Sequence, residues 1–477
     1  MAETHGTAGV EAPPGPLDRA LRVFADVRGG EAKTALILLV NAFLLLLAYY
    51  FVKPARDGLL TTAGVEAISK TELKAYTSFG QGLLLLGVIP VYGWLSAALK
   101  RRVLVTRVTL FFASNLLIFW LLQPGLVVER VPYLGIAFYL WVGIFNNLAV
   151  AQFWSFAADI YTEERGKRLF PMIAIGASAG AAGGAWIAES LVEAGILDTY
   201  SLLLAAGFIL IVSILLTRWA DSRGPTGHGV PESPRGAAER GPAPSWGRAF
   251  TLIFANKYLL ATALMILVLN WVNTNGENLL FGSVQNVLQE RVQKQGLTDA
   301  KAVEKFIADG TTAFYGNFFF WVNVTGLLLQ SFVASRLLKY GGFRALLLAL
   351  PTISIVSYSA MALLPVLTII KIMKVAENAT DYSINNTAKQ VLWLPTTREM
   401  KYEAKGAIDT LFVRLGDGFA AITAFVGVNL LALSFGPLFG LNVLLVVVWI
   451  ALAIVVVREN RKLVAAQTAA ALGPAHD

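Results

Sequence analysis

The sequence predicts an all-α integral membrane protein of about twelve transmembrane helices in two six-helix halves. Three observations lead there. Of 477 residues, 56% are hydrophobic and only 15% charged, with a mean hydropathy of +0.62, a balance foreign to a soluble domain. Apolar stretches of roughly 20 residues recur along the chain, each long enough to cross a hydrocarbon core about 30 Å thick. One polar connector divides them six and six.

Residues 1–33 precede the first stretch and carry Arg22, Arg28 and Lys33 without the pattern of a cleaved leader. Leu17, Leu21, Phe24 and Val27 share one side, which suits either a helix at the membrane surface or a solvated one. The first half, 34–220, holds apolar runs at 34–52, 76–99, 103–122, 133–158, 169–192 and 201–220. Residues 221–250 are rich in Gly, Pro, Ser and Arg, the composition of a flexible connector. The second half, 251–457, holds runs at 258–281, 312–338, 343–364, 365–394, 405–433 and 436–457, and 458–477 form a tail. Between the seventh and eighth runs, 282–311 reads as a loop containing a surface helix.

Basic residues set the orientation. Lys100, Arg101, Arg102, Arg165, Lys167, Arg168, Arg336, Lys339 and Arg344 emerge on the same side as the basic connector. The positive-inside rule makes that side cytoplasmic, with both termini inside, in the inner membrane of a bacterial cell. These loops account for the net charge of +8, so no nucleic-acid partner is expected.

Enzyme chemistry has few tools here, and no enzyme, cofactor or metal site is expected. There is no cysteine, and His5, His228 and His476 lie in the tails and the connector. A phosphate-cradling glycine loop followed by Lys and Ser or Thr is missing.

Polar residues inside the apolar runs point to function, because each charge at mid-membrane costs a few kcal/mol on insertion scales. Lys371, Lys374, Asn378, Asp381, Asn385 and Lys389 are spaced by three and four, so one helix face carries them all. Such a stripe suits the wall of a polar cavity. Lys53, Arg56 and Asp57 close the first run, either as a headgroup anchor or as an anion contact, since a guanidinium matches phosphate or carboxylate. Arg414 with Asp417, and Lys405 with Asp409, have the spacing of internal ion pairs or of switches a charged substrate would break. Asn270, Asn273, Thr274 and Glu277 line one face of the seventh run, and Gly176, Gly180, Gly183 and Gly184 offer close helix approach in the fifth. Asp159, Arg168, Glu277, Lys405, Asp409 and Asp417 are the candidates for coupling or gating.

The halves echo one another. Asn146 and Asn147 precede Trp154 in the fourth run as Asn385 and Asn386 precede Trp393 in the tenth. An internal duplication of six helices implies a major-facilitator-type architecture, with a site between the halves that each side reaches in turn.

Three segments resemble the ATP/ADP translocases of plastids and obligate intracellular bacteria. One is 52–60, where Arg56 takes the place of that family's functional lysine and Asp57 is retained. Another is Phe153 and Trp154 followed by Lys167, Arg168 and the glycine run. The third joins Asp381, Lys389, Lys405, Gly406, Asp409, Arg414 and Gly416. Val142, Asn273 and Asp417 stand where the family keeps two acidic residues and a lysine, which places the chain on an outlying bacterial branch. The resemblance implies antiport of nucleotides, or of a similar phosphorylated anion, through a multi-pass protein. Arg56, Lys371, Lys374 and Arg414 would then neutralise phosphates, and Asn146, Asn385 and an aromatic side chain would handle the organic part, with Lys53, Asp57, Asn147, Trp154, Asn378, Asp381 and Lys389 also lining the substrate site. Two alternatives stay open: a proton-coupled exporter using Glu277, Asp381, Asp409 or Asp417, and a non-transporting membrane protein on the same scaffold.

Overall fold

In a computed structural model the described residues are 15–21, 27–28, 30–65, 67–99, 101–127, 129, 131–161, 163–223, 246–397, 400 and 404–472. Much of the connector and the Phe24 part of the first amphipathic segment therefore lie outside the described residues; the helix there is Pro16–Leu21. The first half consists of α1 (Ala32–Leu60), α2 (Lys70–Ala98), α3 (Arg101–Leu121), α4 (Leu134–Ile160), α5 (Glu163–Glu193) and α6 (Ser201–Arg223). A short helix, Trp246–Ala255, leads into α7 (Lys257–Lys294), followed by α8 (Ala300–Leu328), α9 (Ser335–Leu363), α10 (Leu367–Thr380, continuing as Asn386–Leu392), α11 (Lys405–Ala407 through Val413–Phe425) and α12 (Phe435–Leu472).

Among the described residues ten stretches are long and apolar enough to cross a membrane, and one of them, Ala300–Leu363, holds both α8 and α9. Inside Ser335–Leu363 the helical course breaks at Gly342, whose φ of 65° suits a residue without Cβ. The remaining span, α10, falls below that apolar threshold because Lys371, Lys374, Glu377 and Asp381 lie within it. Twelve spans result.

Local chemistry sets the helix starts. Ser69 and Glu72 form a reciprocal capping box at the head of α2, and Asn256 accepts from the N–H groups of Tyr258 and Leu259 at the head of α7. The expected loop at 282–311 is instead helical on both sides of a short turn. The reason is packing: Gln285 donates to Thr311 at 2.9 Å, Leu288 is buried against Gly310, and Asp299 caps α8 through the N–H of Ala302. The α7–α8 hairpin therefore keeps its own dry interface beyond the expected span.

The glycine run of α5 packs on α1. A Cβ on Gly176, Gly180 or Gly184 would lie 2.4, 2.2 or 2.8 Å from the carbonyl oxygens of Leu39, Phe43 and Leu47, so three turns of each helix meet backbone to backbone. Gly183, on the other side, has no neighbour within 4 Å. In the second half the helices are less regular. Among the described residues every π-helical turn lies there: Leu329–Ala334, Asp381–Asn385, Ile408–Phe412 and Val426–Leu430 among them.

The halves meet through α1, α2 and α5 against α7, α8 and α11. At the end away from the termini, Thr199 donates through N–H and hydroxyl to Asp309 at 2.8 and 2.7 Å and touches Thr312 at 2.8 Å. Gly58 fits there only because it lacks a Cβ, which would stand 2.1 Å from Thr312 Oγ1. Glu72 accepts from Asn429, closing α2 onto α11 at the same end. Nearer the termini, Tyr382, whose ring lies 5.7 Å from the Lys53 ammonium of α1, is 47% exposed.

Replacing Gly180 by Val should push α5 off α1 and cost about 1–3 kcal/mol by overpacking. Thermal unfolding of the detergent-solubilised protein should show a clear drop in Tm for Gly180→Val and little change for Gly183→Val.

Candidate functional site

The deepest charge in the first half is Asp57, with no exposed surface. An isolated carboxylate cannot stay ionised in such a place, and two cations answer it. Arg56 Nη2 lies 2.9 Å from Oδ2, and Lys74 Nζ of α2 lies 2.9 Å from Oδ1. The Arg56 guanidinium also rests on the Tyr139 ring of α4 at 4.4 Å. Lys74 crosses to the other half, donating to Tyr315 Oη of α8 at 3.1 Å and facing the Phe281 ring of α7.

One turn before Asp57, Lys53 has a different setting. It is 8% exposed, and its ammonium is surrounded by rings: Phe319 at 3.9 Å, Tyr50 at 5.1 Å, and Tyr49 and Tyr382 both at 5.7 Å. No carboxylate pairs with it among the described residues. The cage draws on α1, α8 and α10, so both halves build it.

Across the interface, α10 does not present its polar residues as one open stripe. Lys374 has no exposed surface and is held inside the second half by Glu377 at 2.6 Å and Glu277 of α7 at 3.4 Å. Asn378 donates to Glu277 at 2.8 Å. Lys371 donates to Asn317 of α8, which donates to Glu189 of α5, a relay joining the halves at the far end. Nearer the termini, Asp381 accepts from Asn385 at 2.6 Å and lies 3.6 Å from Lys389. The physical reason for the departure is pairing: Glu377 and Glu277 take Lys374 and Asn317 takes Lys371, while Asn385 and Lys389 still meet Asp381 across the π-helical turn Asp381–Asn385.

The other candidates divide. Arg414 and Asp417 pair at 2.9 Å, and Asp417 also accepts from Asn270 at 2.7 Å and Thr274 at 2.8 Å, tying α11 to α7. The Arg414 side chain lies over Gly82 of α2, where a Cβ would come within 2.6 Å of it. Lys405 and Asp409 form no ion pair; the π-helical turn beginning at Ile408 leaves Asp409 exposed, and Lys405 faces the Trp393 ring at 6.0 Å. Asn147 donates back to Gly143 O at 2.9 Å, Asn146 is half-buried, and Trp154 packs edge-on against Phe170 at 5.7 Å. The side chain of Asp159 lies outside the described residues.

Arg168 is bound within its own half, making a two-pronged contact with Glu31 at 3.0 and 3.1 Å, with Arg165 at 3.3 Å. Burial alone would raise the Glu31 carboxyl, but the Arg168 and Arg28 hydrogen bonds and the two guanidinium charges outweigh it and hold it below the ordinary carboxylate range. Sequence spacing singles out neither Glu31, Lys74 nor Glu377. Glu377 stands three residues from Lys374, a spacing that could have revealed it; Lys74 and Glu31 find partners far away in sequence.

No protein-family model matches the chain. Among solved structures it aligns with the nucleoside transporter NupG at a TM-score of 0.59 and 13% identity, covering 88% of this chain and 98% of that one. It also aligns with a bacterial homologue of the human lysosomal transporter Spinster, inward-facing and unoccupied, at a TM-score of 0.54 and 13% identity, covering 91% and 98%. The fold is of the major-facilitator type. Within that fold, the sequence of this major-facilitator-type chain is similar to ADP,ATP carrier protein 1 of Chlamydia pneumoniae, 20% identical over 332 residues, which are 62% of this chain and 61% of that protein. The same carrier of Chlamydia trachomatis is 21% identical over 310 residues, 58% and 54% of the two chains. The chain thus spans between 54% and 61% of the length of the curated relatives it matches.

The ion pairs carry two expected outcomes. Asp57→Ala should leave Arg56 and Lys74 buried together without an anion, a loss of about 3–5 kcal/mol that would show as a collapse of folded yield and Tm. The Glu31 contact stabilises the fold when its carboxyl is ionised, so its contribution is full above the reference value of 4.5 and fades as pH falls through the depressed folded value. The Tm gap between wild type and Glu31→Gln should therefore be widest at neutral pH and close in acid.

Proposed function

We propose that this protein exchanges nucleotides, or a similar phosphorylated anion, across a membrane by alternating access. The observation that carries the reading is the unpaired ammonium of Lys53. Arg56 and Lys74 share Asp57, Lys374 has two glutamates, Arg414 has Asp417 and Lys389 has Asp381. Lys53 has only ring faces, each worth about 0.5–2 kcal/mol, and its N–H donors lack an acceptor. A phosphate oxygen supplies both the charge and the acceptor. Arg56 adds to the demand, since its buried Nε–H donates to nothing.

The rings that cage Lys53 serve the organic part. Tyr382 is the most exposed of them and offers a face on which a base can stack. The likeness to ADP,ATP carriers supports the same substrate class. With the termini on the cytoplasmic side of a bacterial inner membrane, as the basic loops favour, the site faces the cytoplasm here. Exchange then requires the Thr199–Asp309 and Glu72–Asn429 seal to part while the halves close toward the termini.

Reconstituted in liposomes, the protein should exchange external labelled ATP for internal ADP. Lys53→Gln should lower the rate about tenfold to a hundredfold, as loss of a charge-assisted bond of about 1.5–3 kcal/mol implies. If ATP, ADP, inorganic phosphate and sugar phosphates all leave the Tm of the wild-type protein unmoved, the anion reading fails.

A further inference from the structure

The anion pathway leaves one buried carboxylate unused. Glu377 of α10 is 2% exposed and sits at the centre of a closed polar cluster. Its Oε2 meets Lys374 Nζ at 2.6 Å, the Tyr358 hydroxyl lies 2.9 and 3.0 Å from its two oxygens, and Ser354 lies 3.4 Å away. Lys374 is shared with Glu277 at 3.4 Å and approaches Asn273 Oδ1 at 3.5 Å. Two carboxylates divide a single ammonium, so the cluster carries one negative charge too many for a buried site.

Charged groups on the surrounding helices answer Glu277 and leave Glu377 with Lys374 as its cation. Asp381 lies one turn further along α10 and is paired with Lys389, and Lys371 is engaged with Asn317 of α8. On α11, Arg414 and Asp417 neutralise each other. Across the interface Asp57, Lys53 and Lys74 act on Glu277 rather than on Glu377. α9 presents Tyr358 and Ser354, and α12 presents the uncharged Asn442, which donates to Val272 O at 3.2 Å.

Tyr358 makes the excess charge removable. Its hydroxyl has a second acceptor, Val272 O of α7, at 3.1 Å. With Glu377 ionised, the Tyr358 O–H donates to the carboxylate. With Glu377 protonated, the carboxyl O–H donates to Tyr358 Oη, and the Tyr358 hydrogen turns to Val272 O. Every donor finds an acceptor in both states, so binding a proton orphans nothing. Glu377 and Asp381, which stands one turn nearer the termini, line one small gap with Leu269, Asn273, Leu350 and Trp449.

We propose that Glu377 is a proton-binding site coupled to the transport cycle, with Tyr358 as its hydrogen-bond switch. The proton comes from water and ends on a Glu377 oxygen; its release returns it to water. The coupling to transport rests on the proposed function above, whereas the proton site stands without it.

Infrared difference spectra of the purified full chain between about pH 5 and pH 9 read the site directly. A buried protonated-carboxyl band should appear at low pH and be missing in Glu377→Gln. In Tyr358→Phe the band should persist at a higher stretching frequency, because the carboxyl has lost its acceptor. Thermal unfolding confirms that each variant is folded. In liposomes, an imposed pH gradient should change labelled ATP uptake several-fold in wild type and not in Glu377→Gln. Folded wild-type protein without such a band, a band that survives Glu377→Gln, or a response to sodium at fixed pH would overturn the site. A band that titrates in protein that moves no nucleotide would leave the site standing and sink the substrate assignment; nucleotide exchange indifferent to the gradient would sink the coupling.

Discussion

The cost of burying charge governs this structure, and Asp57 is where that constraint is tightest. A carboxylate without exposed surface must be answered where it stands, and the answer comes from two helices of its own half. Arg56 in turn rests on Tyr139, and Lys74 reaches Tyr315 of the opposite half. The position of α1 relative to α2, α4 and α8 is thereby tied to one side chain. Lys53 hangs one turn away from this fixed point, which is why its ammonium can be held among rings without a counter-ion of its own.

Legibility in the sequence followed the range of each interaction. Span number rests on hydropathy summed over long windows, and it came through. The glycine run of α5 was readable because small residues at helical spacing have one main use in a membrane, close approach. Arg414 with Asp417 was readable because both partners lie on one helix turn. Lys74 was not: the apolar run begins at Tyr76, so the lysine falls among headgroup residues until the fold carries it to Asp57. The polar stripe of α10 misled because Glu377 and Glu277 of its own half claim Lys374, and the Lys405–Asp409 spacing misled because a π-helical turn begins at Ile408 between them.

The two charge systems differ in kind. In the first half cations outnumber anions around Asp57, and in the second half two carboxylates share Lys374. Glu277 stands between them, in reach of Lys374 on its own side and of the field of Lys74 and Asp57 on the other. A surplus of positive charge suits an arriving anion, and a surplus of negative charge suits a cation as small as a proton. The seam between the halves is thus an electrical boundary as well as a mechanical one.

The backbone contact between α1 and α5 has a mechanical consequence. Where Gly176, Gly180 and Gly184 sit against carbonyl oxygens, the helices touch through backbone, with little side chain between them to rearrange or absorb a load. The first half is a stiff arm. Across the seam, every π-helical turn among the described residues belongs to the second half, and a helix with a surplus residue in one turn can twist or lengthen there without parting its hydrogen bonds elsewhere. A force applied at the seam is therefore spent on bending one arm while the other turns as a solid, much as a hinged jaw works against a fixed one.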